Sequence, residues 1–168
     1  RHWRMAVDRD GQLCLTYMGQ TIRGRPVDRK LGPFSHIATR AERRGGLLFV
    51  TLQYQRRDRE IQTVDLDLVL AETGDFAELS VTYAPRTDFS VTRKWSDFLA
   101  IEWTLDAAMD RVWRFNPNVR SETKEERTAS SYYLGLETAK GGQLSLMNEG
   151  AMLYELERER GVVRWLFH

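Results

Sequence analysis

The sequence predicts an all-β protein folded as an antiparallel sandwich, and three observations carry that expectation. Apolar and polar residues alternate along residues 12–18, 64–70, 99–105 and 152–156, the pattern of strands with one buried face. Turn signals built from Gly, Asp and Asn recur about every 8–12 residues, as in sandwiches made of short strands. No segment long enough for an amphipathic helix carries an apolar stripe; residues 123–130 have helical propensity but no such stripe.

The N-terminal elements are a hairpin and a connection. Residues 3–8 and 12–18 flank Arg9-Asp10-Gly11, a turn with Asp-Gly at its tip. Residues 19–33 hold three glycines and two prolines among Arg23, Arg25, Arg29 and Lys30, and read as a solvated connecting loop. Residues 34–44 and 47–55 flank Gly45-Gly46, and 60–70 follow the charged turn at 56–59. Val64, Leu66, Leu68 and Leu70 form the buried face of that last strand, with Asp65 and Asp67 opposite.

Residues 76–83 form the next strand, and the pattern breaks over 84–95, which contains Pro85. It resumes at 98–105 with Leu99, Ile101, Trp103 and Leu105 on one side. Residues 106–111 fit a turn or one helical turn, and 112–115 are extended. Residues 141–168 read as a meander of strands joined by turns at Asn148-Glu149-Gly150 and at 157–161. Its last strand places Trp165 beside Val163 and Phe167, in the core. The chain opens without methionine and stops inside an apolar run, so it reads as one domain, residues 1–168, cut from a longer polypeptide.

At 168 residues such a domain buries roughly 70 % of the surface of its unfolded chain and requires no metal or disulfide staple. A hydrophobic content of 42 % with 29 % charged residues excludes the disordered class. Net charge is +1, which gives no electrostatic case for nucleic acid or an anionic membrane as partner. No run of 18 apolar residues is present. The single cysteine, Cys14, excludes an internal disulfide and reads as a packing residue in a protein of the reducing cytoplasm.

Catalytic motifs are scarce. His2, His36 and His168 lack ligand spacing, and HExxH, G-x-S-x-G, P-loop and G-x-G-x-x-G motifs do not occur. Glycosidases use carboxylate pairs ~5–10 Å apart. The candidates are Asp65 with Asp67, Glu102 with Asp106, and Glu155 with Glu157, all opposite the apolar faces of their own strands, where a solvated sheet surface is the simpler reading. The longest polar interruption, residues 112–133, combines Trp113, Arg114, Asn116, Asn118, Arg120, Tyr132 and Tyr133. Flat rings with planar hydrogen-bonding groups suit stacking on sugars and gripping hydroxyls. A plain connection whose aromatics belong to the flanking strands is the alternative. Arg114 and Arg120 are expected to be exposed.

The segment Leu-Ser-Leu-Met-Asn-Glu-Gly-Ala-Met-Leu-Tyr-Glu-Leu, residues 144–156, resembles the Asn-x-Gly segment near the end of the β region in glycoside hydrolase family 38, the α-mannosidases and their relatives. Residues 60–168 are similar to that region in the order of their strands, and Asn116-Pro117-Asn118 resembles a loop that approaches the active site there. The resemblance implies a large antiparallel supersandwich of the galactose mutarotase type. It also implies a non-catalytic module that packs on a catalytic domain of the same polypeptide, helps form a carbohydrate site and assists homo-oligomerisation. The family's nucleophile and zinc ligands lie in an α/β domain outside this sequence, so no cofactor is expected in the chain itself. A freestanding carbohydrate-binding or mutarotase-like domain is the alternative function, and a structural interaction module is a third.

Overall fold

The computed structural model describes residues 3–29, 32–56, 61–71, 77–85, 99–115 and 128–166. They form an antiparallel β-sandwich. Its strands are β1 (Arg4–Val7), β2 (Leu13–Tyr17), β3 (Gln20–Asp28), β4 (Gly32–Pro33), β5 (Ser35–Arg44), β6 (Leu47–Gln55) and β7 (Ile61–Ala71), followed by β8 (Ala77–Pro85), β9 (Leu99–Thr104), β10 (Met109–Phe115), β11 (Thr128–Thr138), β12 (Gln143–Glu157) and β13 (Val162–Leu166). Among the described residues the larger sheet runs β1-β2-β3-β9-β13-β12-β11-β10, with β4 added beside β3, and the smaller runs β5-β6-β7-β8. One core fills the space between them: Leu13, Leu99, Ile101, Trp103, Leu134 and Val163 from the larger sheet meet Val50, Leu52, Tyr54, Val64, Leu66 and Leu68 from the smaller. The alternation read in the sequence is the alternation of burial along β7 and along β9 from Ile101 onward.

Residues 19–33 are not a connecting loop. Most of them form β3, which pairs with β2 as far as Gly24 and with β9 from Arg23 to Asp28. The segment disguises itself because two of its three core-facing positions, Gly24 and Pro26 after Ile22, are residue types that mark turns. Gly24 faces inward because the Trp103 ring lies across it: a Cβ built there would stand 2.3 Å from Trp103 Cζ3. Pro26 O accepts the Phe34 N–H at 3.0 Å, so the Pro26 nitrogen also faces away from β9, on the side where β2 has already ended. The missing Pro26 N–H therefore leaves the β3–β9 ladder intact.

The Asn148-Glu149-Gly150 turn is also corrected. β12 runs through it without reversing. Opposite it, Ser131 pairs with Met152 and Tyr133 with Met147, so Tyr132 alone faces the four residues 148–151. The extra residues form a bulge, which interrupts the ladder and leaves the strand direction intact. The second expected turn is real: Arg158–Arg160 make a 3-10 turn closed by Gly161 at φ 63°. The helical propensity at 123–130 yields at its described end to strand, since β11 begins at Thr128. Trp165 packs against the core but is half-buried, while Val163 on the same strand is fully buried.

Candidate functional site

Two regions on the outer face of the larger sheet gather the polar and aromatic chemistry. The first crosses its middle. Strand register places Arg25 opposite Glu102, Glu102 opposite Arg164, and Arg164 opposite Glu155, so four neighbouring strands carry alternating charge in one row. Arg25 lies 3.3 Å from Glu102, and Arg164 Nε donates to Glu102 Oε2 at 2.9 Å. Arg164 also pairs with Glu157, Arg29 pairs with Glu155, and Arg160 donates to Glu157 Oε2 at 2.7 Å. The Arg164 hydrogen bond, then its charge and that of Arg160, hold the Glu157 carboxyl below the ordinary carboxylate range against a desolvation that raises it. Beside this row lies a buried apolar strip of Val27, Ala100 and Leu166, with Leu153 against it.

The fold therefore brings together three of the carboxylates singled out in the sequence, Glu102, Glu155 and Glu157, around one guanidinium. A glycosidic general acid needs a raised pKa. Glu157 is moved the other way. Asp106 lies beyond the end of β9 and is exposed. Asp65 accepts from Gln53 at 3.5 Å and Asp67 from Thr51, both on the outer face of the smaller sheet. Cys14 Sγ lies 3.8 Å from Asp8 Oδ2 and 3.8 Å from Gln12 O. Burial, and then the nearby Asp8 carboxylate, push its thiol pKa up, the opposite of what a nucleophile needs.

The second region lies at the β10 edge. Trp113 pairs with Gly135, and Gly135 with Ser145. A Cβ built on Gly135 would stand 2.9 Å from Tyr133 Oη and 3.3 Å from Trp113 Cε3, so both rings lean over a position kept bare for them. Tyr133 Oη and Ser145 Oγ are 3.1 Å apart and share a hydrogen. Trp113 is 37 % exposed and Met147, opposite Tyr133, is 76 % exposed. Arg111, Glu137 and Gln143 form the adjoining row.

Of the expected sugar-contacting residues, Tyr133 belongs to this surface. Arg114 does not: it pairs with Leu134 and faces the core side of β10 with Val112. It is half-buried rather than exposed, which corrects the expectation. The backbone of Tyr132 sits at the bulge between β11 and β12, while Asn116, Asn118 and Arg120 lie outside the described residues. Sequence reasoning passed over Gly135 and Ser145. The signal for them was a glycine within an alternating strand, which marks a close approach.

Among the described residues no group of three or more His, Cys, Asp and Glu side chains is placed to hold a metal ion. No helix among them is long and apolar enough to cross a membrane. Fold and surfaces define an antiparallel all-β sandwich with a charged mid-sheet row and an aromatic edge. Comparison with known protein families, characterised proteins and solved structures finds no match.

Proposed function

We propose that the chain is a non-catalytic β-sandwich module of an α-mannosidase-like glycoside hydrolase, working beside a separate catalytic domain and helping form its carbohydrate site. The observation that carries this reading is the engagement of the strand carboxylates. Glu102, Glu155 and Glu157 each face an arginine, and Asp65 and Asp67 accept hydrogen bonds within their own sheet. These acids are engaged by neighbouring strands of their own sheets. The family assignment rests on the sequence resemblance over residues 60–168, and the Asn148-Glu149-Gly150 segment, a bulge within β12 rather than a hairpin turn, adds nothing to it.

The purified chain is assayed with aryl α-mannosides in the presence of zinc. No turnover is expected. Turnover that disappears in Glu102→Gln or Asp65→Asn would overturn the non-catalytic reading. The exposed Trp113 and Tyr133 favour a second reading, a freestanding carbohydrate-binding domain. The coding sequence upstream separates the two, since an α/β catalytic domain in the same reading frame supports the first and a start codon directly before residue 1 the second.

A further inference from the structure

We propose that the outer surface of β10, β11 and β12 around Gly135 is a stacking platform for the pyranose rings of an extended oligosaccharide. Trp113 and Tyr133 supply the flat faces, and Ser145, Gln143 and Arg111 the hydrogen-bonding rim. This rests on carbohydrate being the ligand class and adds where, and in what form, the sugar is held.

Strand pairing fixes the layout before any ligand arrives. Trp113, Gly135 and Ser145 share one cross-strand row, Tyr133 and Met147 lie in the row on one side, and Arg111, Glu137 and Gln143 in the row on the other. The bare Gly135 lets both rings lie low across the sheet, since the space a side chain would fill is the space they occupy. Trp113 contributes little to the core with 37 % of its surface exposed. A large indole left in water gains most from a partner with a flat C–H face.

The rim decides the occupant. Arg111, Gln143 and Ser145 are exposed, and the Ser145 hydroxyl already bonds the Tyr133 hydroxyl at 3.1 Å. Stable protein interfaces bury about 800 Å² per partner around an apolar centre. Here two rings and the Met147 thioether stand among a guanidinium, an amide, a carboxylate and a hydroxyl. A pyranose has that same composition, an apolar ring face with hydroxyls around its edge. Among the described residues the site is an open sheet face, so it suits rings inside a chain rather than a single buried terminal sugar.

The test is affinity electrophoresis of the whole chain through gels holding yeast α-mannan, β-1,4-mannan, xylan or β-glucan, followed by calorimetry with the best ligand's oligosaccharide. The parent is expected to be retarded by at least one polysaccharide. Trp113→Ala should weaken binding about tenfold or more, as for a central aromatic anchor, with Tyr133→Ala close behind. Phe49→Ala, which removes an aromatic ring exposed on the smaller sheet, should bind like the parent. Thermal melts confirm that each variant is folded, and Trp113→Phe, keeping a ring, should recover part of the affinity. Binding unchanged in folded Trp113→Ala but lost in Arg114→Ala would overturn the platform while leaving carbohydrate as the ligand. A parent that binds none of the polysaccharides removes the carbohydrate reading and the platform with it.

Discussion

Trp103 and Gly24 form a close match between two strands of the core. The indole is 4 % exposed and rests on a backbone that tolerates no Cβ. Trp103→Ala should cost about 3–5 kcal/mol, the range for emptying a large aromatic site. Gly24→Ala should be comparably severe, because the ring has no free volume to retreat into. Chemical denaturation of both variants checks this; a Gly24→Ala protein as stable as the parent would dismiss the contact. Trp165→Ala, at a half-buried position, should cost less than Trp103→Ala. Tyr54 gives the opposite sign. Its hydroxyl is fully buried with no hydrogen-bond partner among the described residues, and burial pushes its pKa upward. Tyr54→Phe should leave stability equal or raise it by about 1 kcal/mol, since an unsatisfied buried hydroxyl is destabilising. Glu157 sets a pH dependence. Its folded pKa lies below the ordinary value of 4.5, so its contribution is present above that pH and is lost as pH falls through the folded value. Melting temperature should fall on acidification below about pH 4.5, and the fall should be shallower in Glu157→Gln.

At the scale of elements, β3 and β12 show what alternation reveals and what it hides. Strands β2, β6, β7 and β9 were legible because their inward positions are Leu, Ile, Val, Tyr or Trp. β3 was not, because its inward positions are shaped by a neighbour's ring and by the end of β2, facts held on other strands. The β12 bulge was misread because Asn-x-Gly serves a turn and a bulge equally well, and pairing with β11 decides between them. The candidate site was half legible. Tyr133 and Trp113 stood out by type, whereas the separation of Arg114 onto the core side required the register with Leu134. The bulge makes a prediction of its own. Leu144 and Leu146 face the core in phase with Tyr154 and Leu156 across it. Removing residues 148–150 shifts that phase by an odd number and turns Leu144 and Leu146 toward solvent, while removing 149 and 150 alone keeps it. The three-residue deletion should therefore melt well below the two-residue one. Equal melting temperatures would mean that phase across the bulge does not matter.

The described residues form two sheets that are assembled differently along the chain. The smaller is a continuous meander of consecutive strands, residues 35–85, while the larger joins strands from both ends through the β3–β9 and β9–β13 pairs. β9 is its keystone: Leu99, Ile101 and Trp103 enter the main core on one face, and Ala100 is fully buried on the other. Circular dichroism should show a β-dominated spectrum, and the β9 amides should be among the slowest to exchange with solvent, as expected of strands that open only on global unfolding.

Synthesis on the ribosome proceeds in one direction, and that gives the β3–β9 pairing a cost in time. β3 emerges more than 70 positions before its partner strand, so the nascent chain must hold a bare sheet edge until β9 has been made. A chain ended at residue 98 keeps every strand of the smaller sheet and loses the neighbour that covers β3. Such a fragment should accumulate as aggregates on expression, and adding the missing C-terminal strands as a separate polypeptide should return part of it to solution. A soluble, monomeric 1–98 fragment would show that the early strands shield that edge by themselves.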